Sequence, residues 1–538
     1  MFNLIAGARG MAYALRGKIQ FQSSRFCEVT GPMKQFAILL QLFLCCSIAL
    51  PLLGQPHPEI ITVDAAAPAT PFPHFWEEMF GSGRAILSLR SSYRSDLRAV
   101  KKVTDFQYVR FHGILLDEVG VYSKDRQGNP RYNFTYVDQI YDGLLENGVR
   151  PFVEISFMPK ALAARLDYQG FWYKPIVSPP KDYAQWDDLI TRFTQHLIDR
   201  YGRAEVEKWY FEVWNEPNLN FWSGKPAQES YFELYSHTAR SIQSVDPHLR
   251  VGGPATAQAA WIQTFIAYTV KNHVPVDFIS SHIYGMDKAS KVFGPGVSIP
   301  PSEMVYRGIK KMHDDIAQSA RPKLPLIVSE FSADAVRTGK RDTVFMGPWL
   351  ANLIWQSDGL AAMISFWPFS DVFEEQGVPD APFSTHSARE GRGLIAPDGI
   401  PKPSYVAFQL LHHLGDQRIT TASKDAILTK SGQGKLVIAL WNLPGQSETP
   451  AVKEIRLNFR HISRHSGAVV YRLDKSHEDT LGAYRAMGSP VYPTHAQVEK
   501  LWQVAAVHPA EKTNLRKNTL TLSLPPDGLA IVEVNPLP

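Results

Sequence analysis

The chain has 538 residues, 44% hydrophobic and 20% charged, with 56 Lys and Arg against 52 Asp and Glu. This is globular composition with material for one large and one small domain, and it excludes a disordered or collagen-like chain. All three cysteines, Cys27, Cys45 and Cys46, precede residue 55, so the body of the chain holds no disulfide framework, thiol nucleophile or cysteine metal site.

The first element is a leader. Met33-Lys34 opens onto an uncharged apolar run from Phe36 to Leu53, which closes on Gly54 and the polar Gln55-Pro56-His57. This is the layout of a secretory signal starting at or near Met33, with Ser47-x-Ala49 or Leu52-x-Gly54 as the cleavage site. A run of about 18 residues also sits at the short limit for a membrane anchor. Residues 1–54 are therefore read as leader, and the mature protein is expected to be exported, periplasmic or extracellular, with no stable membrane partner. The leader carries Arg9, Arg16, Lys18, Arg25 and Lys34 against Glu28. Its loss leaves a formally neutral protein, and without a basic field nucleic acid is not an expected partner.

From residue 73 to 414, strand-sized apolar runs alternate with amphipathic stretches. The predicted strands are WEEMFGSG (76–83), YVRFH (108–112), RPFVEIS (150–156), WYFEVW (209–214), RVGGPA (250–255), DFISSHIY (277–284), PLIVSEF (325–331) and AAMISFW (361–367). Between them, stretches such as 136–148, 186–202 and 228–245 return apolar residues every three or four positions, the helical period. Eight such repeats predict an α/β fold, a closed (β/α)₈ barrel, in preference to an open doubly wound sheet, whose Gly-rich phosphate turn is missing after the first strand. From 415 to 538 the runs AILTK, KLVIALWNL, EIRLNF, AVVYRL, TLTLSL and LAIVEV are short and β-branched, which predicts an all-β sandwich domain. EIITVDA (59–65), within the 55–72 segment, is expected to add a strand to it.

A barrel of this kind carries its chemistry at the C-terminal ends of its strands. Glu216 follows Trp214-Asn215 at the end of the fourth run, and Glu330 ends the seventh. They are too far apart in sequence for local pairing, so only barrel closure can bring them together. There is no H-E-x-x-H spacing and no G-x-S-x-G elbow, and neither a metal nor another cofactor is expected. Two carboxyl groups on one cleft then point to glycoside hydrolysis, in which one is protonated and the other ionised.

In this order the stretches FPHFWEEMFGSGRA (72–85), YVRFHGILLDEVGVY (108–122), PFVEISFMPKALA (151–163), FEVWNEPNLNFW (211–222), DFISSHIYG (277–285), FWPFSDVFEEQGVP (366–379) and GIPKPSY (399–405) resemble glycoside hydrolase family 39 of clan A, the β-xylosidase and α-L-iduronidase family. The resemblance implies that Glu216 is the general acid/base and Glu330 the nucleophile of a retaining reaction, with carboxyl groups about 5 to 5.5 Å apart. It further implies that Asn215 binds the sugar 2-hydroxyl and that His282 and Tyr284 orient the nucleophile. His112 and Glu374 would contact hydroxyls, Trp367 would form an apolar wall, and Phe157 would complete the pocket. The chain departs from the family at Phe331, where Trp is frequent, and at Pro368, where YWTF is common; these affect subsite shape, not the reacting groups.

The glycone can be narrowed on charge. A uronate needs cationic donors, whereas Ile283 and Tyr284 follow His282 here and Lys288 comes only later. A neutral pentose is favoured, hence an exo-acting β-xylosidase with a carbohydrate as partner. Iduronidase, arabinosidase or exopolysaccharide-cleaving activity would use the same carboxylates. A non-catalytic carbohydrate-binding protein is the alternative from another class.

Overall fold

The computed structural model describes residues 58–333, 339–379, 381–383, 391–432, 434–445, 448–463 and 466–535; the leader expected over 1–54 lies outside the described residues. Among those described, no helix is long and apolar enough to cross a membrane.

Each of the eight predicted runs forms a barrel strand: β1 Met79–Arg84, β2 Tyr108–His112, β3 Arg150–Ile155, β4 Tyr210–Val213, β5 Arg250–Thr256, β6 Phe278–Tyr284, β7 Leu326–Ser332 and β8 Met363–Phe366. They pair in parallel in chain order, and β8 closes on β1. Parallel neighbours need a crossover, and seven helices supply it: α1 Ser91–Val103, α2 Thr135–Leu145, α3 Tyr183–Tyr201, α4 Ala227–Val245, α5 Ile262–Lys271, α6 Pro301–Ala317 and α7 Met346–Ser357; an eighth, α8 Pro403–Leu411, follows β8. In α3, Trp186, Leu189, Ile190, Phe193 and Leu197 fall on one buried stripe. Asp182 caps its first turn by accepting from the Ala184 N–H, and the chain leaves the helix at Gly202 with φ 82°, a conformation glycine adopts without steric cost. Each large side chain on such a stripe contributes about 1.5–3 kcal/mol over leaving it exposed.

The period of two along each strand divides the barrel interior into layers. The lowest layer is apolar: Met79, Phe152, Phe278, Ile327 and Met363 form one cluster, flanked by Tyr108 and Tyr210. Two residues further on, Tyr108 gives way to Arg110, Phe152 to Glu154 and Tyr210 to Glu212, all three fully buried. Another step up β2 reaches His112. On β7 this count is broken by a bulge: Ser281 pairs with Val328, but His282 pairs with Glu330. The extra residue, Ser329, re-aims the strand, so Glu330 points inward although it lies three positions beyond Ile327.

The C-terminal region forms two sheets. Glu59–Asp64, Lys453–Arg460 and Thr519–Leu524 make a three-stranded sheet, in which Glu59–Asp64 runs parallel to Lys453–Arg460. A seven-stranded sheet runs in the order Ala69–Pro71, Gln417–Ile419, Ala426–Lys430, Leu436–Asn442, Gly528–Val534, Gly467–Leu473, Glu511–Asn514. Leu436, Ile438 and Leu440 face the smaller sheet, while Val437, Ala439 and Trp441 turn into the core shared with the barrel. Burial on both faces explains why this stretch reads as an unbroken apolar run. The region is not all β: α9 (Thr480–Ala486) and α10 (His495–Ala505) interrupt it. The α10 helix starts at a capping box between Thr494 and Gln497 and buries Val498, Leu501 and Ala505. That three-to-four spacing is readable in the sequence, but the short strands around it obscured it.

Candidate active site

The fourth strand stops at Val213, and the chain then passes through left-handed backbone at Trp214 (φ 72°) and Glu216 (φ 44°). Non-glycine residues seldom hold that conformation, and it clusters where geometry matters to function. Packing holds it here. The Trp214 indole N–H donates to the Phe221 carbonyl at 2.7 Å, Tyr231 donates its hydroxyl to the Val213 carbonyl at 2.8 Å, and the Glu216 N–H donates to the Ala255 carbonyl at 2.8 Å. Asn215 thereby turns into the barrel and Glu216 into its mouth.

Glu216 and Glu330 meet there. One carboxylate oxygen of each, with a ring nitrogen of His282, forms a group whose atoms lie within 4.8 Å of one another. His282 Nδ1 is 3.0 Å from Glu216 Oε1 and 3.6 Å from Glu330 Oε1. An approach this close lies on the retaining side, well short of the inverting range of about 6.5–9.5 Å. The same trio has the donor types to hold a cation; a retaining double displacement requires none.

The two acids differ in their partners. Arg110 Nη1 donates to Glu330 Oε1 at 2.7 Å, and the Tyr284 hydroxyl donates to Oε2 at 2.5 Å, so both oxygens of Glu330 are hydrogen-bonded. Burial raises the Glu330 carboxyl above its ordinary value, opposed by the Arg110 cation. Burial also pushes the His282 imidazole down to about 4, so near neutral pH it is uncharged and Arg110 supplies the cation. Among the described residues, Glu216 has no direct partner that is cationic near neutral pH. Its side chain is 13% exposed, yet dehydration pushes it up to about 7, against the pull of His112 and Arg110. Burial thus raises both carboxyls, but only Glu330 has a cation and a phenol donating to its ionised form, so the partners favour a carboxylic acid at Glu216 and a carboxylate at Glu330, the division that acid-assisted displacement needs.

Arg110, fully buried on β2, organises this layer. Besides Glu330 it donates through Nε to Glu212 at 2.6 Å, and through Nη2 to Asn215 Oδ1 at 3.1 Å and Glu154 at 2.8 Å. The contact to Asn215 fixes which end of the amide is oxygen, because a guanidinium can only donate, and turns the NH₂ group away from Arg110 as a donor for a sugar hydroxyl. His112 Nδ1 lies 2.7 Å from Glu154 and Nε2 lies 3.5 Å from Glu375. Burial works against its positive charge, but the Glu154 carboxylate outweighs it and holds the imidazole up at about 10. His112 is thus a cation with two N–H donors. Trp367 lies 4.7 Å from the His112 ring and 5.5 Å from the Arg110 guanidinium. It fits against β1 only because residue 81 is glycine: a Cβ there would stand 2.0 Å from the indole.

Two expected residues are placed differently. Phe157 is wholly buried; its ring packs on Trp214 at 5.6 Å and on His112 at 6.0 Å, so it backs the pocket instead of facing it. The Glu374 carboxylate is taken by Arg84 and Arg90, and the following residue, Glu375, is the one turned toward His112. A one-residue shift after a strand end reverses which side chain faces in, and periodicity does not extend into loops. Sequence reading also missed Arg110, Glu154 and Glu212. Their signal was present: charged residues inside apolar runs, at the same alternate positions on neighbouring strands, persist only when they pair.

The comparisons agree with this geometry. The family model for glycosyl hydrolases family 39 matches residues 59–518. A β-xylosidase of Geobacillus stearothermophilus is 37% identical over 85% of this chain and 92% of its own length. Another, from Caldicellulosiruptor saccharolyticus, is 33% identical over 86% and 95%. The crystal structure of a monomeric β-xylosidase from Caulobacter crescentus CB15 superposes with a TM-score of 0.81 at 32% identity, covering 89% of this chain and 99% of the other. With an eight-stranded barrel, a paired carboxylate mouth and a match over most of its length, the chain belongs to glycosyl hydrolase family 39.

Proposed function

We propose that the protein is a retaining, exo-acting β-xylosidase that releases xylose from the non-reducing end of β-xylosides and xylo-oligosaccharides. The observation that carries this reading is the approach of Glu216 and Glu330 to within 4.8 Å. Glu330 attacks the anomeric carbon, forming an ester bond as the bond from that carbon to the leaving oxygen breaks. Glu216 gives its proton to the departing oxygen. A water molecule then attacks the same carbon, Glu216 takes up its proton, and Glu330 leaves as a carboxylate. Positive charge developing on the sugar ring faces the buried carboxylates around Arg110.

A neutral sugar suits the surroundings. Among the described residues, the cations near the mouth have carboxylate partners: Arg84 and Arg90 on Glu374, and Arg392 within 3.6 Å of Glu375. The loop beyond Tyr284 presents Asp287, whose carboxylate accepts the Tyr284 N–H at 2.8 Å, which would oppose a uronate. Hydrolysis rates on nitrophenyl glycosides of xylose, arabinose and iduronate test the assignment. Xyloside is expected to be the preferred substrate, and a preference for iduronide would overturn it. Export through the 33–54 segment is part of the same proposal, and a secreted product whose sequence starts just after Ala49 or just after Gly54 is the expected outcome of terminal sequencing.

A further inference from the structure

We propose that a latch built from Arg84, Glu374 and Trp172 closes the non-reducing end of the sugar site and makes the enzyme exo-acting; this rests on the glycosidase reading above. Glu374 Oε2 accepts from Arg84 Nη1 at 3.0 Å, and its other oxygen accepts from Arg90. Arg84 Nε also donates to Glu118 at 2.7 Å, and its guanidinium lies 4.9 Å from the Tyr173 ring and 5.7 Å from that of Trp172. The main-chain N–H of Trp172 donates to the carbonyl of Glu375 at 2.8 Å. At Gly83 a Cβ would stand 2.4 Å from the Phe373 carbonyl oxygen, so the end of β1 and the loop after β8 approach through their backbones. Together these contacts tie the segments that follow β8, β1, β2 and β3 into one wall beside His112.

The wall stands opposite the exit of the leaving group. Glu216 hydrogen-bonds to Ala255 on β5, and its carboxyl meets His282 on β6. In a barrel whose strands run in chain order, β5 and β6 lie across from β1 and β2. The acid must reach the leaving oxygen, so the aglycone departs over β5 and β6 and the far end of the xylose points at the latch. A second sugar beyond it would need the space of the Arg84–Glu374 pair. That pair is nearly buried, at 6% and 1% side-chain exposure, and sits on left-handed backbone at Glu374, φ 61°. Buried ion pairs of this sort give little net stability, and backbone strain of this sort gathers at functional sites.

The test is the first product formed from nitrophenyl β-xylobioside by wild type, Trp172→Ala and Glu374→Ala, the last of which removes the carboxyl from the space a second sugar would need. Wild type is expected to release xylose and leave nitrophenyl xyloside. The variants are expected to raise the ratio of xylobiose to xylose at least about tenfold while still hydrolysing nitrophenyl xyloside. Trp172 is 59% exposed, so its variant remains informative if Glu374→Ala fails to fold. Variants that hydrolyse the xyloside but keep the wild-type product ratio overturn the latch alone. A folded wild type inactive on both substrates overturns the xylosidase reading and the latch with it.

Discussion

The two ends of the barrel interior are built on the same strands from opposite materials. At the N-terminal end Phe152 stacks on Tyr210 at 5.5 Å and meets Phe278 edge-on at 5.7 Å, closing the barrel with apolar contact. Two residues up the same strands, Arg110 is enclosed by Glu154, Glu212 and Glu330. Burial at the lower end is favourable in itself. At the upper end it costs dehydration of every charge, which is offset only while the set is complete. The plug therefore tolerates change in proportion to volume, whereas the mouth depends on each member. The same dehydration that makes the mouth costly holds the proton on Glu216, while the Arg110 guanidinium and the Tyr284 hydroxyl bind the ionised form of Glu330 against it.

Substitutions at the two ends sharpen that contrast. The largest expected effect is on rate: Glu330→Gln keeps the shape of the mouth but removes the attacking oxygen, and turnover should fall by about 10⁴-fold or more in steady-state assays on nitrophenyl xyloside. Next comes Arg110→Leu, which strands three buried carboxylates and should cost about 3–5 kcal/mol in urea unfolding. A result under about 1 kcal/mol, the scale of an ordinary exposed ion pair, would break the comparison. Glu216→Ala should lose about 10²–10⁴-fold on alkyl xylosides while retaining attack on activated aryl leaving groups. In wild type, kcat/KM should fall as pH rises past about 7, where Glu216 gives up its proton, and this basic limb should vanish in the variant. Tyr284→Phe removes a donor to ionised Glu330, so the acid limb should move to higher pH. The smallest effect is expected in the plug, where Ile327→Val should cost only about 0.5–1.5 kcal/mol and leave the pH profile unchanged.

The barrel was legible because parallel strands buried on both faces leave apolar runs, and amphipathic helices leave a three-to-four spacing between them. Glu216 and Glu330 were legible because each ends such a run. Arg110 was not, since reading outward from strand ends passes over a charge in a strand interior, and only the register shows that it meets partners from three other strands. Glu374 was confused with Glu375 because a loop has no period to say which neighbour faces in. The bulge at Ser329, which turns Glu330 inward, has no sequence signature at all. The helices α9 and α10 were hidden by the β-branched segments around them.

The central claim is that Glu330 becomes covalently bonded to the sugar while Glu216 carries the proton. A xyloside with fluorine in place of its 2-hydroxyl and an activated leaving group slows breakdown of the glycosyl-enzyme and lets it accumulate. Mass spectrometry of the digested protein is expected to find one pentosyl adduct, on the peptide containing Glu330, and none in Glu330→Gln. An adduct on another residue, or full wild-type turnover that yields the inverted α-xylose and no adduct, would contradict the account.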